Sequence, residues 1–275
     1  MEKKDNGTGN GNQLRLSQKI AECINVKDGF VYLGLLDNDT KVVVKTCSTE
    51  DVAGLARLKK EWKLLSLFSW LRGFPKPIGC FYHFIPNPPN KEQSNSKKKE
   101  RFNLLMEYIP YTIEVFLAKR KHESANMRTQ NSNAVQFQFS LACSMIDLIH
   151  RLHHVGYVHR DLKPEHFLIR ADGTMALIDF GLALPIEQAC RLQRSRGRRF
   201  LGNYKYATDA QRNGDPTGFR DDLESTLRII ADILPWVISS SSSLRGLIQE
   251  FCAKLELEQL PSYGSLCTRL HRGKE

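Results

Sequence analysis

Residues 157–168 read YVHRDLKPEHFL and residues 176–183 read ALIDFGLA, and the fold of the whole chain is read from these two stretches. Asp161 and Asp179 stand 18 positions apart (161 to 179), with Lys163 and Pro164 between them. Asp161 falls on a loop after a helix, where a carboxylate can accept a hydroxyl proton and orient an attacking oxygen. Lys163, two residues on, carries a compact point charge that can reach a phosphate. Asp179 follows the apolar run 175–178 (MALI), so its carboxylate is held at a strand end, a position suited to magnesium. An isolated aspartate after a strand is most often a turn former or helix cap; here that reading has to hold at several positions together.

Outward from this core the chain changes character. Residues 1–13 are polar and rich in glycine and asparagine, which predicts a disordered tail with no secretory leader. Residues 30–36 (FVYLGLL) and 41–47 (KVVVKTC) are apolar runs split by Asp37, Asn38 and Asp39, which predicts a hairpin. From Asp51 the apolar residues Val52, Leu55, Leu58, Trp62, Leu65 and Phe68 recur with helical spacing. Residues 87–99 (NPPNKEQSNSKKK) suit a loop, 102–109 (FNLLMEYI) a strand, 112–118 a short helix, and 119–133 a second polar insertion. A longer helix carries Val135, Phe139, Ala142, Met145, Ile149 and Leu152 on one face and ends near Gly156. Loop and short strand run to about residue 184, followed by a basic loop and leucine- and isoleucine-rich helices. Strands with one helix come first and mostly helices after, an α+β pair of lobes.

With its HRD tripeptide at 159–161 and DFG at 179–181, the chain resembles the eukaryotic protein kinases. The resemblance runs from about residue 20 to 270 and implies a bilobal protein-kinase fold, with a small β-rich N-lobe (about 14–109) carrying one helix and a larger, mostly helical C-lobe (about 110–275). It implies ATP and Mg2+ as cofactors, Asp161 and Lys163 as catalytic residues, and Asp179 as a metal ligand. Lys45, closing the run 42–45 (VVVK), looks like the phosphate-binding lysine of the family. Glu61, 16 residues later (45 to 61), stands where the family places that lysine's partner; a solvated charge among Lys59, Lys60 and Lys63 is the alternative. Gly29 and Val31 would lie against the nucleotide. Met106, Glu107 and Tyr108 resemble the gatekeeper and hinge whose backbone meets adenine.

Residues 163–168 (KPEHFL), 202–208 (GNYKYAT), 220–225 (RDDLES) and 260–266 (LPSYGSL) resemble the corresponding segments of casein kinase 1 and the vaccinia-related kinases. In this reading Asp222 braces the catalytic loop. Four positions depart from the pattern. Ile24 and Val26 occupy the first two places of the glycine-rich loop, which restricts how closely backbone approaches phosphate. His166 stands where the family has a magnesium-binding asparagine, and Asn203 replaces a threonine that meets the catalytic aspartate, its amide serving instead.

A formal net charge of +10 admits acidic protein, acidic lipid or nucleic-acid partners. The loop 191–199 (RLQRSRGRR) carries five arginines and no acid, which points to acidic or phosphate-primed protein substrates; a solvated charge run is the alternative. Phe200 and Tyr204 offer stacking faces, but nothing else resembles a nucleic-acid reader. No run approaches about 18 apolar residues, so no membrane span is expected. Seven scattered cysteines, never closer than 15 positions, offer neither a disulfide framework nor a metal knuckle and fit an intracellular chain, cytoplasmic or nuclear. His150, His153 and His154 cluster at a helix end without the partners of a zinc site. Two functions follow: a serine/threonine protein kinase, favoured by Lys45, Glu61, Asp161, Lys163 and Asp179, or a pseudokinase scaffold, favoured by the lost glycines and His166.

Overall fold

The computed structural model describes residues 15–22, 29–36, 39–85, 99–125, 131–192, 200 and 202–272. The tail 1–13, the glycine-loop positions Ile24 and Val26, most of the loop 87–99, and residues 193–199 of the basic loop lie outside them. The chain divides into two compact units, residues 1–69 with 75–108 and residues 70–74 with 109–275.

The first unit is a five-stranded sheet and a helix: β1 (Arg15–Glu22), β2 (Phe30–Leu35), β3 (Lys41–Ser48), α1 (Val52–Leu67), β4 (Pro77–Ile85) and β5 (Lys99–Glu107). The antiparallel strand order is β1-β2-β3-β5-β4. The expected hairpin is β2 and β3, paired from Phe30↔Thr46 to Leu35↔Lys41. Asp39 leaves the turn with φ of 58°, a left-handed conformation that aspartate tolerates better than most residues. Val42 and Val44 of β3 pack with Leu105 of β5, flanked by Tyr32 and Leu36. Asp51 caps α1, its carboxylate accepting from the Gly54 amide at 2.9 Å. The inward face of α1 is Leu58, Glu61, Leu64 and Leu65; Val52, read from the sequence as part of the apolar face, is 77% exposed.

The second unit contains β6 (Tyr111–Thr112), α2 (Ile113–Ala125), α3 (Asn131–His154), β7 (Tyr157–Val158), β8 (Phe167–Ile169), β9 (Met175–Leu177), β10 (Leu184–Pro185), α4 (Ile186–Ala189), α5 (Asp209–Asn213), α6 (Phe219–Ile233), α7 (Ser241–Phe251) and α8 (Tyr263–Arg272). The short helix expected over 112–118 continues to Ala125, and α3 starts at Asn131, so most of the expected insertion 119–133 is helical. Lys, Arg, Glu and Ala are good helix formers whatever their polarity. Phe139, Ala142, Met145, Ile149 and Leu152 are buried along α3 as their spacing predicts. Residues 70–74 join this unit through the main chain: Gly73 O accepts from Leu177 N at 2.9 Å and Phe74 O from the Arg170 guanidinium at 3.2 Å. At the start of α6 a Cβ on Gly218 would fall 2.0 Å from the Leu257 carbonyl oxygen, so only glycine fits there. No helix of the described residues is long and apolar enough to cross a membrane.

Candidate active site

In the first unit, Lys45 is placed by β3 and Glu61 by the inward face of α1. Lys45 Nζ donates to Glu61 Oε1 at 2.7 Å, with the side chains 10% and 3% exposed. The alternative of a solvated Glu61 is set aside: Lys59 and Lys63 are exposed, while Glu61 turns inward. Val31 lies directly opposite Lys45 in the β2–β3 register, and Gly29, just before β2, is buried. Met106 is buried near the end of β5, Glu107 exchanges hydrogen bonds with the Lys76 main chain, and Lys41 Nζ lies 5.8 Å from the Tyr108 ring centre.

In the second unit, residues 159–163 form a loop after β7 whose conformation is held by its own side chains. His159 donates from Nε2 to Ile178 O at 3.0 Å and accepts at Nδ1 from the Asp161 amide at 3.3 Å. The bond accepted at Nδ1 requires the neutral imidazole, and burial, the largest influence, pushes its pKa below the ordinary histidine value. Arg160 takes a φ of 70°, a strained conformation for a non-glycine residue. Asp222 offsets that strain: its carboxylate, 1% exposed as a residue, accepts from His159 N at 2.5 Å, Arg160 N at 2.9 Å and His153 Nε2 at 3.1 Å. The brace expected from the sequence is thus present, with one further donor, His153, that the motif does not announce. His153 donates to Asp222 and, at Nδ1, accepts from the Tyr263 hydroxyl of α8. His150 stacks on Tyr263 with ring centres 4.7 Å apart, and no group of three metal-binding side chains occurs among the described residues. Burial is the largest influence on Asp222 and would raise its pKa, but the hydrogen bond and charge of His153, the charge of His159 and its amide together hold it below the usual carboxylate value.

Asp161 Oδ1 accepts from the main-chain amide of Asn203 at 2.7 Å. The replacement expected of the Asn203 side chain is made by its backbone; the side-chain oxygen instead accepts from Lys205 N at 2.9 Å. Gly202 makes this approach possible with φ of 122°, and a Cβ there would sit 3.3 Å from Asp161 Oδ1. Oδ2 of Asp161 has no hydrogen-bond partner among the described residues. Lys163 is half-buried. Asp179 follows β9 with φ of 69°, and Phe180 is buried with its ring 5.4 Å from Phe74 and 5.5 Å from His159. His166, 4% exposed, lies in the short turn 164–166; its Nδ1 donates to Asp161 O at 2.7 Å and its Nε2 lies 3.4 Å from Asp179 Oδ2. The loop and turn after β7 and the segment after β9 therefore bring Asp161, His166 and Asp179 together.

A protein kinase domain model matches residues 27–207, well over half of the chain. The chain belongs to that family. Kinase domains use ATP as phosphoryl donor. The serine/threonine-protein kinase ppk35 of Schizosaccharomyces pombe is 38% identical over 120 residues, 42% of this chain and 17% of that protein. A probable casein kinase I homolog of Encephalitozoon cuniculi is 34% identical over 100 residues, 34% of this chain and 33% of the relative. The serine/threonine-protein kinase tricornered of Drosophila pseudoobscura pseudoobscura is 30% identical over 118 residues, 41% of this chain and 24% of the relative. The matched part of the kinase domain thus spans from about a sixth to a third of these relatives, which come from more than one kinase group.

The His153 contacts give this kinase domain an acid-sensitive brace. Burial depresses the His153 pKa, the largest effect, against the hydrogen bond and charge of Asp222 and together with the charge of His150. The unfolded chain therefore takes up that proton first as pH falls. Stability from the neutral histidine is full above about pH 6.5 and is lost as pH drops below it, with a slope of at most about 1.4 kcal/mol per pH unit. Urea midpoints measured from about pH 7.5 down to about 5 are expected to fall. His153→Gln is expected to be less stable at the upper end and to fall less steeply; parallel curves for the two proteins would contradict the assignment.

Proposed function

We propose that this chain is a serine/threonine protein kinase that transfers the γ-phosphoryl group of ATP to protein hydroxyls. The observation that carries the proposal is Asp161: one oxygen is held by Asn203 N, the other has no hydrogen-bond partner among the described residues, and the loop beneath is tied to Asp222. That oxygen orients the attacking hydroxyl and accepts its proton, while Lys163 brings positive charge to the transferring phosphate. Lys45, steadied by Glu61, meets the α- and β-phosphates; Gly29 and Val31 lie against the nucleotide; the backbone of residues 106–108 meets adenine. Magnesium, where it accompanies ATP, neutralises charge on the phosphates. Asp179 supplies the hard oxygen that such an ion takes, whereas the His166 imidazole does not match its preference.

Within the family we place the chain with the casein kinase 1 and vaccinia-related kinases. The support is the segments 163–168, 202–208 and 220–225, together with the similarity to the E. cuniculi protein. Acidic or phosphate-primed proteins are the proposed substrates, because Arg191, Arg194, Arg196, Arg198 and Arg199 form a run without acids. His166 in an oxygen ligand's place favours a second reading, a pseudokinase that binds partners without transferring phosphate.

Calorimetric titration with ATP, with and without Mg2+ or Mn2+, is expected to give binding that strengthens with the cation; no binding to folded protein would overturn the kinase reading. Steady-state rates on acidic and neutral serine peptides then test the substrate class. Replacing Arg196, Arg198 and Arg199 together with Ala is expected to raise KM for the acidic peptide only. Equal changes for both peptides would assign the arginines to a solvated surface.

A further inference from the structure

The position of His166 has a donor chemistry of its own. Its Nδ1–H is committed to the Asp161 carbonyl at 2.7 Å, and a carbonyl only accepts, so the neutral ring keeps its lone pair on Nε2. Nε2 lies 3.4 Å from Asp179 Oδ2. Two ligands about 2.1 Å from one ion stand roughly 3.0 to 3.4 Å apart for angles between about 90° and 110°, so the pair suits a single cation. A backbone carbonyl fixing the tautomer and orientation of a histidine is also the usual support of an imidazole that binds metal. His166 is buried, at 4% exposed, whereas the Asp179 side chain is 39% exposed, so the carboxylate side stays accessible to the phosphate oxygens and water that complete a shell.

Mg2+ takes oxygen ligands and binds imidazole poorly, whereas Mn2+, Co2+ and Zn2+ accept a mixed nitrogen and oxygen set. We propose that His166 Nε2 and Asp179 together form a nucleotide-dependent site that selects a first-row transition cation over Mg2+. This rests on the proposed nucleotide-binding function. Asp179 alone serves a magnesium ion, so the selectivity belongs to His166.

The test uses the full chain with ATP and Mn2+. Pulsed electron paramagnetic resonance of the bound Mn2+ is expected to show coupling to an imidazole nitrogen, and its pattern should change when the chain is made with 15N-histidine. The coupling should vanish in His166→Asn. Calorimetry should give an affinity ratio of Mn2+ to Mg2+, in the presence of ATP, that is higher in the wild type than in His166→Asn. Bound Mn·ATP without nitrogen coupling in the wild type, or equal ratios in the two proteins, overturns the site and leaves the kinase reading standing. No ATP binding with any cation overturns both. The isotope experiment needs no variant, so it decides the matter even where His166→Asn folds poorly.

Discussion

Asp222→Asn is expected to cost about 3–5 kcal/mol of stability, a large part of what a domain of this kind possesses. The wild-type carboxylate accepts from three donors, His159 N, Arg160 N and His153 Nε2, and has no proton to offer back. An asparagine amide brings two protons into that buried site. Whichever way it is turned, its NH2 group faces an N–H donor, and at least one buried amide loses its acceptor. Arg160 or its neighbour His159 then loses a main-chain bond that holds the loop around the left-handed Arg160, so the loop bearing Asp161 relaxes and kcat falls as well. Thermal unfolding should shift down by about 6–20 °C. A shift under about 2 °C with unchanged kcat would mean that the catalytic loop is held by other contacts.

Asp161→Asn should behave in the opposite way. The variant keeps an acceptor for the Asn203 amide, so thermal stability is expected to stay within a few degrees of the wild type. It loses the basic oxygen, which is worth about 10²–10⁴-fold in proton transfer. Both kcat and kcat/KM should drop by that factor, with the Kd for ATP little changed, because the missing interaction matters mainly in the transition state. A variant that keeps most of its kcat would show that Asp161 only positions the substrate.

Much of this site is legible in the sequence because its chemistry sits in short segments. HRD and DFG fix residue types at close spacing, and the Lys45–Glu61 pair follows from one strand and one helix face. The strands that escaped, β1 and β4, are the two edges of the five-stranded sheet. Each is half-paired and irregular: β1 has two register shifts, and β4 begins with Pro77 and shifts before Gly79. The second half of α2 escaped because its polar residues resemble a loop, although helix propensity does not depend on polarity. His153 and Tyr263 are 110 positions apart, and no local spacing announces a hydrogen bond made through packing of α3 and α8. The reverse failure occurs at Val52, which fits the helical period but stands at the first turn, outside the buried stripe.

The most direct measurement is mass-spectrometric detection of phosphoserine or phosphothreonine on casein incubated with ATP, a divalent cation and the whole chain, beside Asp161→Asn. Site-specific phosphate from the wild-type chain, falling by at least about a hundredfold in the variant, is the expected result. Tight ATP binding with no phosphate transferred by either protein would contradict it and leave a nucleotide-binding scaffold.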